Sequence, residues 1–177
     1  MITRQLIEAI RKQYLLPWNG THGIGHWARV LENGLCITER LANVNTGVVE
    51  LFAIFHDAKR TNEGFDTEHG YRGAELAKEL RGSLFELSDE EFDLLYTACC
   101  FHTDGHTESD ITVQTCWDAD RLDLGRVGIA PHPRYLCTTA AKDPALIAWA
   151  DSRARLGIVP QFAIDYWFAD PPVDNRD

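Results

Sequence analysis

The stretch TGVVELFAIFHD, residues 46–57, is apolar on nearly every side of a helix and then ends on a histidine and an aspartate. A helix of that kind is unsuited to a surface and belongs in the middle of a domain, sheathed by other elements. Its last two residues then carry an imidazole and a carboxylate into the interior. An ionised aspartate there costs several kcal/mol unless it is paired or bound to a cation.

The flanking sequence supplies the sheath. Leu6, Ile7, Ile10, Tyr14 and Leu15 recur at helical spacing before Pro17, which predicts a first helix over residues 3–15. WNGTHGIGH reads as a loop. A second helix spans Trp27 to Leu41, with Asn33 and Gly34 as its weak spots and His26 in its first turn. Thr46, with Glu50 near the capping-box offset, is the expected cap of the central helix.

TNEGFDTEHG reads as loop and YRGAELAKELRG as a helix that Gly82 stops. Ser88 and Glu91 form a capping box that opens a helix with His102 near its end. Asp118 to Arg126 is expected to be helical, and DPALIAWADSRARLG is a helix with proline in its first turn. With no repeats and almost no two-residue alternation, the fold class is all-α, a single-domain helical bundle over residues 1–170 with a frayed tail at 171–177.

Charge and cysteine usage narrow the function. Seventeen Lys plus Arg against 27 Asp plus Glu give a net charge of -10, which repels a polyanion at long range, so no nucleic-acid polymer is expected as partner. A small phosphorylated molecule is compatible, because a local cation overrides the global field within a Debye length of roughly 8 Å. No apolar run approaches the roughly 18 residues of a membrane span, so no membrane partner is expected and the protein should be cytoplasmic. Cys36, Cys99, Cys100, Cys116 and Cys137 lack zinc-knuckle spacing and should be reduced and mostly buried.

The HD pair at 56 and 57 acquires partners elsewhere in the chain. His26 and an aspartate of DADRLD, either Asp118 or Asp120, would complete a set of two imidazoles and two carboxylates. Such a mixed set suits a divalent transition metal, Mn, Fe, Ni, Co or Zn. His22 is the alternative to His26 if the helix extends back through Gly23 and Gly25.

His26 in HWARV, the HD at 56–57 and the later DADRLD resemble the ordered H, HD, D signature of the HD-domain superfamily of metal-dependent phosphohydrolases. The resemblance covers residues 22–126 and implies a helical bundle with His26, His56, Asp57 and Asp120 as ligands. Asp120 is preferred to Asp118 because the family pattern reads Ala-Asp followed by Arg or Lys. HGYRGAEL from His69 is similar to an element of the HD-GYP branch, and His102 sits where that branch carries a further histidine. This implies a second ion on His69 and His102, bridged by Asp57, with His106 the weaker candidate. The HHExxDGxGYP motif that names the branch is missing, and FHTDGHTESD stands in its place.

The resemblance implies hydrolysis of a small phosphoester, such as a nucleotide, by a metal-activated water, with Asp57, Arg60 and Asp104 as catalytic residues. Arg60 would stabilise phosphoryl charge, Asp104 or His69 would handle the proton, and Lys59, Arg60 and Arg72 would bind the substrate phosphate. Two rival readings accompany it: a di-iron HD-type oxygenase and a non-catalytic, metal-stabilised binding module. The plainer fates are surface ion pairs of Arg60 and Arg72 with Glu63, Asp66 or Glu75, a surface position for His132, and core positions for the five tryptophans.

Overall fold

The computed structural model describes residues 1–167 and contains eight α-helices: α1 (Arg4–Arg11), α2 (Ile24–Thr38), α3 (Thr46–Phe55), α4 (His69–Leu80), α5 (Asp89–Phe101), α6 (Ile111–Arg121), α7 (Pro144–Leu156) and α8 (Gln161–Tyr166). Short 3-10 turns lie at Leu124–Val127 and Pro133–Tyr135. There is no strand among the described residues, so the chain is an all-α bundle. The expected tail at 171–177 lies outside the described residues.

The apolar run is the central helix. In α3, Val48, Leu51, Phe52, Ala53, Ile54 and Phe55 are completely buried, and α2, α4, α5 and α6 all pack against it. Each large side chain so buried contributes about 1.5–3 kcal/mol of transfer free energy. The cap is Asn45 rather than Thr46: its side chain accepts from the Val48 amide at 3.1 Å, and Thr46 is already helical. Glu50 instead pairs with the amino terminus.

Other boundaries move for similar local reasons. The Thr3 side chain caps α1, which ends at Arg11 rather than residue 15. Asp110 caps α6, which begins at Ile111, seven residues before the expected start. His69 and Gly70, expected in a loop, open α4. The short α8 has no counterpart in the sequence expectations. The Ser88–Glu91 capping box forms on α5, and Asp143 with Pro144 opens α7.

Small residues set the helix separations. A Cβ on Gly34 would lie 2.5 Å from Val49 Cγ1, so α2 and α3 meet where the sequence suggested only weakness. A Cβ on Gly70 would lie 2.2 Å from the Cys99 carbonyl oxygen, and one on Gly73 2.2 Å from the Phe55 carbonyl oxygen. These two glycines let α4 settle onto α5 and onto the end of α3.

Of the tryptophans, Trp27 and Trp117 are buried and Trp18 and Trp167 half-buried, but Trp149 is exposed, so it is no core anchor. All five cysteines are free; only Cys99 and Cys116 are fully buried. Among the described residues, no helix is long and apolar enough to cross a membrane.

Candidate metal centre

Five helix ends converge. His26 lies in the first turn of α2 and His69 is the first residue of α4. His56 caps the C-terminus of α3, with Asp57 in the turn that follows. His102 caps the C-terminus of α5, and Asp120 stands in the last turn of α6. All six are buried. Three of the five ends are C-termini, whose partial negative charge favours a cation.

One hydrogen-bond pattern repeats on all four histidines. Nδ1–H donates to the Phe52 carbonyl at 3.1 Å from His56, to the Cys99 carbonyl at 2.7 Å from His102, to the Asp66 carbonyl from His69, and to the Asp123 carboxylate at 2.7 Å from His26. The network thus assigns the proton to Nδ1 and leaves each Nε2 with a bare lone pair. An outer partner of this kind is what orients a metal-binding histidine.

The four lone pairs meet in two pairs. Nε2 of His26 lies 3.0 Å from that of His56, and Nε2 of His69 lies 2.9 Å from that of His102. Neither pair has a proton to share, so each contact needs a positive charge beside it. Two nitrogens about 2.1 Å from one ion and at right angles stand about 3.0 Å apart.

Asp57 joins the pairs. Its Oδ2 is 3.5 Å from His26 Nε2 and 3.8 Å from His56 Nε2, while Oδ1 is 3.0 Å from His69 Nε2 and 3.8 Å from His102 Nε2. His26, His56 and Asp57 form one group able to hold a metal ion, and Asp57, His69 and His102 a second. Oδ1 of Asp120 is 3.5 Å from His26 Nε2 and 3.8 Å from His56 Nε2, and it is buried without a hydrogen-bond partner. An orphaned carboxylate oxygen facing two bare nitrogens fits a cation at the first group.

Protonation states agree with a cation site. Burial pushes His56 down to about 3 against the pull of Asp57 and Asp120, so its imidazole is neutral. Burial disfavours the Asp57 anion, but a proton on His56, or on the facing nitrogen of His102, His26 or His69, outweighs it and holds the carboxyl well below the usual range. Burial likewise works against the Asp120 anion, and Arg126 with the histidines overcomes it. A neutral His56 beside ionised Asp57 and Asp120 is the form that binds a metal, whereas at His102 burial works against the charged form but Asp57 and Asp120 lift it above the ordinary value.

Arg60 is drawn into the cluster. Its Nη1 lies 3.3 Å from Asp57 Oδ1 and 3.1 Å from His69 Nε2, while Nη2 donates to the Gly64 carbonyl at 2.8 Å. Its donors are therefore largely engaged within the protein, which argues against the expected role of holding substrate phosphate. Lys59 and Arg72 stand elsewhere. Lys59 donates to Gln13, Arg72 grips Asp66, and both line a surface pocket that contains none of the six cluster residues. The turn after α3 carries Lys59 to another face, and Arg72, in the first turn of α4, donates to the Lys59 carbonyl at 3.1 Å.

Asp104 lies exposed in a cleft of about 360 Å3 that Arg60 and His69 also line. Asp118 is elsewhere, accepting from the Cys137 and Thr138 amides at 2.7 Å and from the Thr138 hydroxyl at 2.8 Å, so its role is to clamp a loop. Arg121 donates to the Tyr135 and His106 carbonyls. His22 precedes the Gly23 cap of α2 and pairs with Glu63. His106 is exposed beside Phe101 and Trp117, and His132 is exposed.

Asp123, Arg29 and Arg126 complete the surroundings and were not among the expected site residues. Asp123 holds His26 and is itself gripped by Arg29, through Nε at 2.7 Å and Nη2 at 3.1 Å. The only hint in the sequence was a third aspartate three residues beyond Asp120.

No protein-family model, no curated protein and no solved structure matches the chain.

Proposed function

We propose that this protein is a metal-dependent hydrolase of a small phosphoester, a helical domain of the HD type. The observation that carries the reading is the convergence of His26, His56, Asp57 and Asp120, in the order H, HD, D along the chain, on one buried point with their bare Nε2 and carboxylate oxygens facing one another.

A divalent transition ion held by those four residues, Mn, Fe, Ni, Co or Zn, supplies Lewis acidity and a nucleophilic water near neutral pH. The chain's own residues do the rest. Asp123 fixes the His26 ring, and the Phe52 carbonyl fixes that of His56. Arg60 offsets the Asp57 charge.

The test is metal analysis of the purified protein followed by a panel of phosphomonoesters, phosphodiesters and nucleotides. At least one stoichiometric transition metal and turnover of a panel member are expected, with both lost together in Asp57→Ala. Retention of metal and full activity in that variant would overturn the assignment.

The sharing of Asp57 between two histidine pairs favours one further reading, a di-iron oxygenase. Two irons per chain with a mixed-valence magnetic signal would support it; a single Mn, Ni or Co would support hydrolysis.

A further inference from the structure

A cleft of about 650 Å3, lined by His26 but not by Arg60, opens beside the cluster. Its walls are the loop at Asn19–Thr21, the first turn of α2, the 3-10 turn carrying Arg126, and the C-terminal end of α7 with Arg155. In a chain of net charge -10, three arginines (Arg29, Arg126 and Arg155) line this cleft, and among the described residues no carboxylate does.

The three differ in what they have left to offer. Arg29 spends Nε and Nη2 on Asp123, and its Nη1 donates to the Ile158 carbonyl at 3.5 Å. Arg155, 43% exposed, is tethered through Nε to Asp151. Arg126 is different. Its side chain is only 9% exposed, yet its Nε has no hydrogen-bond partner. Nη1 donates to the Asp123 carbonyl at 3.1 Å, whereas Nη2 stands 3.6 Å from Asp120 Oδ1, longer than a hydrogen bond, so Nε and Nη2 are the donors left over. A buried guanidinium with unspent donors is costly unless an acceptor completes it. The first turn of α2, which has no side-chain cap, faces the same space and adds its positive end.

We infer that this cleft seats the phosphoryl group of the substrate, gripped by Arg126 with Arg155 at the mouth. The inference deepens the hydrolase reading and rests on it. Arg126 is within 3.6 Å of Asp120, so an oxyanion on its fork lies next to the proposed metal ligands, and approach is from the His26 side. Arg60, spent on Asp57 and His69, does not line this cleft. The fork geometry selects a phosphate or a similar tetrahedral oxyanion over a neutral ligand.

Metal content is measured first, and binding of inorganic phosphate to the protein as purified is then followed by calorimetry and by 31P NMR. Phosphate affinity is expected to fall at least tenfold in Arg126→Gln, to recover in part in Arg126→Lys, and to fall a few-fold in Arg155→Gln, whose exposed position spares the fold. An unchanged affinity in both glutamine variants overturns the inference, as does a loss confined to Arg60→Gln. If phosphate binding depends on Arg126 but no transition metal is found, the anion site stands and the hydrolase reading falls. Metal with Arg126-independent phosphate binding gives the reverse.

Discussion

Nη1 of Arg60 lies 3.1 Å from Nε2 of His69, whose Nδ1 is committed to the Asp66 carbonyl. Nε2 has one lone pair, and it cannot accept from a guanidinium and bind a metal at once. The second group, Asp57 with His69 and His102, is therefore contested by a tethered cation. Arg60→Met removes the competitor. A hydrogen bond to a charged group is worth about 1.5–3 kcal/mol, so the second ion should bind about 10- to 100-fold more tightly. Titration of chelator-treated protein with Mn2+ or Zn2+ reads this directly; a second step unmoved in the variant would show that the lone pair is not contested.

Asp123 acts on the first group through His26. Asp123→Asn keeps an acceptor for His26 Nδ1–H but removes the charge that Arg29 and the imidazole share. Loss of such an outer partner typically lowers metal affinity by about 10- to 100-fold. The first metal-binding step should weaken by that amount while the second is spared. Equal weakening of both would mean that Asp123 supports the fold rather than His26.

Gly70 is where α4 meets α5. A methyl group there would lie 2.2 Å from the Cys99 carbonyl oxygen and 3.0 Å from His102 Nδ1, and that carbonyl is the acceptor that orients His102. Overpacking of this kind costs about 1–3 kcal/mol, a fall in Tm of about 2–12 °C for a chain of this size. Gly70→Ala should also lose the second metal step by separating His69 from His102. A thermal melt and the same titration check both; an unchanged Tm would contradict the close approach.

What was legible in the sequence was order along the chain. The apolar run 46–55 could only be a central helix, and the H, HD, D series singled out residues that the fold does bring together. His69 and His102 followed from their similarity to a known element. Direction was not legible. Lys59 and Arg60 are neighbours, yet one turns to Gln13 and the other to Asp57, because the turn after α3 splits them between faces. Asp118 and Asp120 also sit on one short helix, but only Asp120 points at the histidines. Asp123 and Arg126 escaped notice because their roles depend on what other helices bring opposite them. Caps showed the same limit: Asn45 and Thr46 are both competent, and a single register decided between them.

His56 makes the stability of the metal-free protein depend on pH. A histidine in an unfolded chain titrates near 6.5, whereas burial lowers His56 in the folded protein to about 3. Between those values the unfolded state binds a proton that the folded state refuses, so stability falls as pH falls through that window. Each unit is about 1.36 kcal/mol, which bounds the effect at about 4–5 kcal/mol over the whole range. Asp57, held below its ordinary value, adds a loss of the same sign once pH drops below the usual carboxylate range. His102 opposes both: burial works against its charged form, but Asp57 and Asp120 lift it above the ordinary value. It therefore contributes stability at low pH that disappears as pH rises through its folded value. The net expectation from pH 6.5 to 4.5 is destabilisation, because His56 alone has a displacement of several units. Urea unfolding of chelator-treated protein at pH 7.5, 6 and 5 should show the decline, and His56→Gln should flatten it. An identical pH slope in the variant would mean that His56 takes up its proton in the folded state, and the neutral imidazole needed to bind a metal would not be the resting form.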